Sequence, residues 1–142
     1  MKTLDRRGNS MAEQSEHFFS HEKLEAYRQS IQFVVWLAPL LESSNRWGDV
    51  KDQLDRASTS IPLNIAEGNG KFFPKDRSRF FDIAHGSALE CSAGLDTLVA
   101  KSKMTAEQIR PGNLLLQSIV RMLIGLIKAN AVRSYPRRSE SS

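Results

Sequence analysis

The residues best suited to chemistry lie in one short stretch, SIPLNIAEGNGK, residues 60–71. It combines an Asn, a Glu, two glycines and a lysine, which resembles the composition of a phosphate-binding loop. In such a loop the glycines precede a helix whose N-terminus faces the anion, whereas Gly68 and Gly70 here follow a helical pattern. GNGK also lacks the Ser or Thr of a P-loop, so we expect no nucleotide site. Gly68 is instead predicted to be a left-handed helix terminator.

The strongest electrostatic feature of the chain is a basic cluster within residues 71–79. Its members are Lys71, Lys75, Arg77 and Arg79. Asp76 opposes them, and the net charge of the whole chain is only +4. The cluster predicts a nucleic-acid-binding patch, to which Arg133, Arg137 and Arg138 of the C-terminal tail could add; the same charges could also merely solvate a turn and a tail.

Two aromatic residues, Phe72 and Phe73, lie inside this basic cluster just before Pro74. Phenyl rings beside cations can stack on nucleic-acid bases. The alternative is a hydrophobic staple, in which the rings pack against the first turn of the helix that follows. The sequence leaves both interpretations open.

Catalytic and metal-binding patterns are poorly developed. Asp82, His85 and Ser87 are close in sequence, but Ser87 lies about 200° around a helix from His85, so they cannot form a relay. His17 and His21 have the spacing of a metal-binding pair but lack a third ligand. We therefore predict no enzymatic activity, no metal and no cofactor.

The composition is that of one globular domain. The chain has 142 residues, 40% of them hydrophobic and 25% charged, which is enough to bury a core without disulfides. The single Cys91 is predicted to be a small buried hydrophobe. Residues 1–20 lack the apolar run of a signal peptide, and charged or polar residues interrupt the most apolar stretch, 114–127. We expect a cytoplasmic protein without a membrane partner.

Apolar periodicity predicts four helices and no strands. The first spans about 21–43, capped by Ser20, after a flexible leader at 1–20. The second begins at an N-cap, Asp49, and the third begins at Pro74 and ends near 103. Thr105 and Gln108 form a capping box for the fourth, which ends near 131, although Pro111 and Gly112 should interrupt its first turns. A flexible basic tail, 132–142, follows.

The predicted core faces follow helical spacing. In the first helix the face is Leu24, Tyr27, Ile31, Val34, Ala38 and Leu41. In the second it is Val50, Leu54, Ala57 and Ile61, continuing to Asn64 and Gly68. In the third it is Phe81, Ala84, Ala88, Cys91, Leu95 and Leu98.

The fourth helix carries more apolar surface than one bundle needs. One row, Leu115, Ile119, Met122 and Leu126, runs beside a second, Leu116, Val120, Leu123 and Ile127. Trp36 falls on the polar side of the first helix, where its indole would need another surface to cover it. These features predict self-association. The predicted interface residues are Trp36, Leu115, Ile119, Met122 and Leu126.

Three segments resemble a known family. They are similar to segments of the four-helix-bundle proteins encoded in intervening sequences of bacterial 23S ribosomal RNA. The three segments are QLDRASTSIPLNIAEGNGK, DRSRFFDIAHGSALE and RMLIGLIKA. The resemblance covers roughly residues 21–131. It implies an up-and-down bundle that forms a ring-like homopentamer, like the accessory protein of diversity-generating retroelements, which binds a reverse transcriptase and nucleic acid. The ribosomal-insert members have no established activity.

The resemblance also implies which polar residues matter. The positions that match the family pattern are Asn64, Glu67, Gly68, Gly70, Lys71, Asp76, Arg79, Gly86, Ser87 and Glu90. Of these we predict a structural polar network formed by Asn64, Glu67, Gly68, Gly70, Ser87 and Glu90, in which the amide of Asn64 pairs near the carbonyl freed by Pro62. Glu67 and Glu90 are expected to be buried acids paired with Arg or Asn.

Two functions remain open. The first is a non-enzymatic homo-oligomer, pentameric if the family geometry holds, that binds RNA or DNA modestly through Lys71, Lys75, Arg77 and Arg79. The alternative is a protein-interaction scaffold or accessory subunit, for example of a reverse transcriptase, that does not itself bind nucleic acid.

Overall fold

A computed structural model describes residues 11–43 and 45–134, with side chains described for 21–43 and 45–131. This part of the chain contains four helices and no strand: α1 (Met11–Ser43), α2 (Asp49–Gly70), α3 (Pro74–Ala100) and α4 (Ala106–Ser134). Consecutive helices pack against each other, and α1 also packs against α4. Because the connections are short, neighbouring helices run antiparallel and form an up-and-down bundle. The all-α prediction is confirmed.

The α3 core face was predicted correctly. All six residues of its row, from Phe81 to Leu98, are fully buried. The α2 row is also buried at Val50, Leu54, Ala57 and Ile61, with Ile65 below them. Both rows have the 3–4 spacing of a single helical face, so local periodicity was sufficient to find them.

The predicted core face of α1 is wrong except near its C-terminal end, where Leu41 packs against the core. Leu24 is 61% exposed and Ile31 is 38% exposed, whereas Ala26, Phe33 and Leu37 are fully buried. The helix carries two apolar stripes, and the structure turns the stripe that contains Ala26 toward the core. The other stripe faces solvent.

The packing of Trp36 against α4 is consistent with this orientation of α1. A Cβ atom added to Gly112 would lie 2.3 Å from Cζ3 of Trp36, so the indole occupies the space that a side chain would fill. Trp36 also packs on Phe33, with ring centroids 5.7 Å apart. The indole is thus covered within its own chain, which corrects the prediction that it needs a partner surface.

Helix α4 starts as predicted but continues without a break. Thr105 N donates to Gln108 Oε1 at 2.9 Å, and Gln108 N donates to Thr105 Oγ1 at 3.1 Å, which is the predicted capping box. Pro111 lies inside the helix, so the predicted interruption is wrong. Pro111 has no N–H to donate to the carbonyl four residues back, so one intrahelical hydrogen bond is lost while the helix continues.

The predicted interface rows of α4 mostly form the core of the chain itself. Ile119 and Leu126 are fully buried, and Leu115 and Met122 are partly buried against the core. Their assignment to an oligomer interface is therefore wrong for Ile119 and Leu126. The more exposed apolar residues of α4 are Leu114 and Ile124.

Several predicted helix ends are displaced. Helix α1 begins at Met11 rather than after Ser20, so Ser20 is not its cap. Gly48, with φ of 56°, occupies the cap position of α2, and Asp49 is the first helical residue. Residues 11–20 of the predicted leader (1–20) and 132–134 of the predicted tail (132–142) are therefore helical. The rest of both segments lies outside the described residues, as do Arg137, Arg138 and the side chain of Arg133.

Helix α3 ends in a motif that the sequence does not signal. Ser102 is left-handed, with φ of 57°. Lys103 N donates to Leu98 O at 2.8 Å, and Ser102 N donates to Val99 O at 3.0 Å. This is a Schellman motif with Ser where Gly is usual.

Helix α4 is long and apolar enough at Ala106–Ala131 to cross a membrane by length and composition, with a mean hydropathy of 1.4 in its most apolar window. The core helix of a bundle can meet the same criterion. Here its row at Leu116, Ile119 and Leu123 packs inside the bundle.

Candidate nucleic-acid interface

The α2–α3 loop, residues 71–73, projects two phenyl rings into solvent. Phe72 is 84% exposed and Phe73 is 63% exposed. Their ring centroids are 5.2 Å apart and their planes meet at 89°. Because both rings are mostly exposed, the hydrophobic-staple interpretation is wrong.

Arg77 fastens this loop to the bundle. Its Nε donates to Oδ1 of Asn130 at 2.9 Å, and its Nη1 donates to the backbone carbonyls of Lys71 at 3.4 Å and Phe72 at 3.2 Å. Asn130 is buried near the end of α4 and donates through Nδ2 to Leu126 O at 2.7 Å. Arg77 is therefore a structural residue, which corrects its prediction as a free cation of the patch.

Lys71 and Arg79 flank the ring of Phe80. The Lys71 ammonium lies 5.2 Å from the ring centroid, and the Arg79 guanidinium carbon lies 5.4 Å from it. Cations within about 6 Å of a ring face are attracted by its quadrupole. Lys71 also pairs with Glu67 at 3.8 Å, and this exposed pair contributes little stability. The arrangement holds both cations beside the loop.

Lys75 is exposed in the first turn of α3. It borders an open groove of about 520 Å³ between α3 and the end of α4. The residues that line this groove are Lys75, Asp76, Ser78, Arg79, Asp82, Ile127 and Ala131. The carboxylates of Asp76 and Asp82 lower the positive potential of the groove, so the patch is only modestly basic.

The polar network between α2 and α3 is smaller than predicted. Ser60 and Ser87 share a hydrogen bond of 2.8 Å. Asn64 Nδ2 donates to Ser60 O at 2.8 Å and to Ser60 Oγ at 2.9 Å. Asn64 and Ser87 thus belong to the network as predicted, while Ser60 was missed. Asn64 pairs with Ser60 and not with the Ser58 carbonyl that Pro62 frees. Its position one turn before Asn64 was the available signal.

The other predicted members of the network lie outside these hydrogen bonds. Glu67 and Glu90 are exposed rather than buried. Gly70 has open space around it, whereas a Cβ on Gly68 would lie 2.6 Å from Cε1 of Phe81. Gly68 is therefore a packing residue between α2 and α3. It continues the helix, which corrects its prediction as a left-handed terminator.

Cys91 is not poised for nucleophilic chemistry. Burial raises the pKa of its thiol to about 12, and the nearby Glu90 carboxylate adds to the effect. A thiol with this pKa stays protonated at neutral pH, and the thiolate is the reactive form. Among the described side chains no group of acids, histidines and cysteine is arranged to hold a metal. His17 lies outside them.

A larger groove, of about 810 Å³, lies at the opposite end of the bundle. Trp36, Trp47 and Met104 form part of its wall. Two of its polar side chains serve local structure: Gln108 caps α4, and Ser43 donates to Leu40 O at 3.3 Å. The exposed aromatic loop, which combines free ring faces with neighbouring cations, is the stronger candidate site.

Comparisons with known proteins agree with this fold. Residues 22–125 match the sequence model of the 23S rRNA-intervening sequence protein family. The chain belongs to this family. No curated protein matches it.

A solved structure is similar over most of the bundle. It is the crystal structure of a protein of unknown function from the S23 ribosomal protein family of Bacteroides thetaiotaomicron, with a TM-score of 0.70 and 25% sequence identity. The match covers 75% of this chain and 98% of that one. The predicted resemblance is confirmed. The similar structure supports the fold and has no assigned activity.

Proposed function

We propose that this member of the 23S rRNA-intervening sequence protein family is a non-enzymatic, self-associating bundle that binds RNA or DNA with modest affinity. The observation that carries the proposal is the exposed α2–α3 loop, around which Lys71, Lys75 and Arg79 gather at one end of the molecule. Phosphate contacts from such cations supply most non-specific nucleic-acid affinity.

Self-association raises the nucleic-acid affinity that the weakly basic patch has in a single chain. The α1 stripe, defined as Leu24, Tyr27, Ile31 and Val35, is apolar and faces away from the core. An exposed apolar stripe along a helix favours burial against another protein surface. If copies assemble symmetrically, each brings its own loop, and several loops can bind one strand with higher avidity than one loop alone.

Charge reversal tests the basic patch. The double variant Lys75→Glu and Arg79→Glu should lower the affinity for labelled RNA at least tenfold at low salt and flatten the dependence of affinity on salt, because fewer counterions are released. Fluorescence anisotropy across a salt series measures both effects. Arg77 is left unchanged because its loss would disturb the loop itself.

A matched control is available at the other end of the bundle. Lys101→Glu with Lys103→Glu changes the net charge equally, at exposed positions beyond the end of α3. Affinity should be close to that of the wild type. Equal losses in both double variants would show that overall charge matters rather than this patch, and no RNA or DNA binding by the wild type at low salt would refute the proposal.

The second candidate function is a scaffold that presents its surface to another protein, such as a polymerase. The α1 stripe favours it, because its four side chains carry no charge and suit a protein better than a nucleic acid. A scaffold should retain a specific protein after nuclease treatment, and this retention should depend on Leu24 and Val35 while tolerating charge reversal at Lys75 and Arg79.

A further inference from the structure

We propose that the α2–α3 loop binds single-stranded nucleic acid by stacking unpaired bases on Phe72 and Phe73, and that it does not bind the body of a duplex. The inference rests on the proposed function and specifies its ligand. Phosphate attraction alone does not distinguish a single strand from a duplex, whereas an exposed ring face does.

The rings of Phe72 and Phe73 are unusually exposed. A phenyl ring in water is normally covered by neighbours because its apolar surface is costly to hydrate. Here two consecutive phenylalanines stand in solvent, 84% and 63% exposed. Each presents a flat apolar face of the kind on which a nucleotide base stacks.

The loop is also held in place. The hydrogen bonds from Arg77 to the carbonyls of Lys71 and Phe72, and to the buried Asn130, tie its backbone to both α3 and α4. A fixed loop loses less conformational entropy when it binds than a mobile one. Arg77 is therefore a positioning residue for the aromatic pair.

The angle between the rings decides the class of ligand. Bases in a duplex lie parallel and cover one another, so only the terminal pairs offer a free face. The planes of Phe72 and Phe73 meet at 89°, and two bases covering both rings must be unstacked from each other. A single strand can turn in this way at low cost.

The cations next to the rings match the phosphates of the same strand. Lys71 lies directly before Phe72, and Lys75 follows Phe73 by two residues. A strand whose bases rest on the rings would carry its backbone past these side chains. Single-strand binding sites usually combine aromatic side chains, on which the bases stack, with a row of cations along the backbone.

Three labelled probes with similar numbers of phosphates test the inference by anisotropy. They are an unstructured RNA strand, an abasic strand of the same length and a blunt duplex. The wild type should bind the RNA strand more tightly than either of the others. Phe72→Ala and Phe73→Ala should each weaken RNA-strand binding by about fivefold to a hundredfold and leave the abasic strand unaffected.

Conservative variants separate stacking from general apolar contact. Phe72→Tyr keeps a flat ring and should bind as the wild type does, whereas Phe72→Leu keeps apolar bulk and should behave like Phe72→Ala. Leu89→Ala removes an exposed apolar residue of α3 outside the loop and should have no effect.

The outcomes distinguish this inference from the proposed function. Three results would overturn stacking. They are equal binding of the RNA and abasic strands, full RNA affinity in Phe72→Leu, and a requirement for Phe72 and Phe73 only in binding a protein partner. The basic patch would stand in the first two cases if the charge-reversed double variant still lost affinity for the probes. No binding to any probe would overturn both.

Discussion

At the scale of single residues, the members of the basic cluster differ in their surroundings. Arg77 is half-buried and hydrogen-bonded to Asn130, 53 positions further along the chain. Lys75 and Arg79 are exposed, and Lys71 pairs with Glu67. Four neighbouring charges that look equivalent in the sequence therefore have different roles, because only the Arg77 side chain reaches the end of α4.

Replacing Arg77 by Ala should lower the free energy of unfolding by about 1–3 kcal/mol. The change removes the donor to the buried Oδ1 of Asn130 and to two loop carbonyls, and loss of hydrogen bonds at buried groups costs about this much. Urea denaturation followed by circular dichroism gives the value. Arg79→Ala, at an exposed position, is the control and should change stability by about 0.5 kcal/mol or less. Equal effects of the two variants would refute a structural role for Arg77.

At the scale of the elements, Trp36 and Gly112 form a close contact between α1 and α4. The missing side chain at Gly112 leaves room for the indole, while Ala26, Phe33 and Leu37 lie in the core. In this arrangement the α1 stripe faces outward, where it is available to a partner.

Gly112→Ala should destabilise the protein by about 1–3 kcal/mol, the usual cost of overpacking. The new Cβ would lie 2.3–2.8 Å from three ring atoms of Trp36, and a rigid indole cannot yield locally. Thermal or urea unfolding measures the loss.

Gly125→Ala in the same helix is the matched control. Its Cβ would meet no atom within 4 Å, so the higher helix propensity of Ala should stabilise α4 by up to about 1 kcal/mol. A smaller side chain in Trp36→Leu should reduce the cost of Gly112→Ala. Independent, additive effects of these two substitutions would show that the predicted clash is absent.

At the scale of the whole molecule, the longest row of exposed large apolar side chains lies on α1, whereas α4 exposes Leu114 and Ile124. The α1 stripe leaves four large side chains between 37% and 67% exposed along one line. Covering such surface contributes about 25 cal/mol per Å². The hypothesis of self-association therefore stays, with a different interface.

The wild type at micromolar concentration should have a mass several times the 16.0 kDa of one chain, and five times that mass if the family geometry implied by the resemblance applies. Leu24→Lys with Val35→Lys should reduce the mass to that of one chain, because burying two charges in an apolar interface is costly. Light scattering measures the mass, and circular dichroism checks that the helices persist.

Leu63→Lys and Leu114→Lys place the same charge at exposed apolar positions of α2 and α4 and test whether the effect is specific to the α1 stripe. Their masses should match that of the wild type. A wild-type monomer would refute self-association, and dissociation by Leu114→Lys alone would locate the interface on α4.

The sequence by itself determined the features that depend on neighbours along the chain. Helical periodicity identified four helices and the complete α3 core row, and the Thr105–Gln108 capping box placed the start of α4. The Asn-Ile-Ala-Glu-Gly segment and its companions identified the family. These signals are local, since each depends on residues within a few turns of one helix.

Only the tertiary structure decided between patterns that local rules treat as equal. Both apolar stripes of α1 satisfy the helical period, and the structure buries the one that contains Phe33 and Leu37. Gly68 looks like a helix terminator in the sequence, but in the structure the Phe81 ring of α3 packs where its side chain would be. The bond from Arg77 to Asn130 likewise joins α3 to α4. Each of these contacts joins residues on different helices, and the helical period of one segment does not show which residues of another segment it will meet.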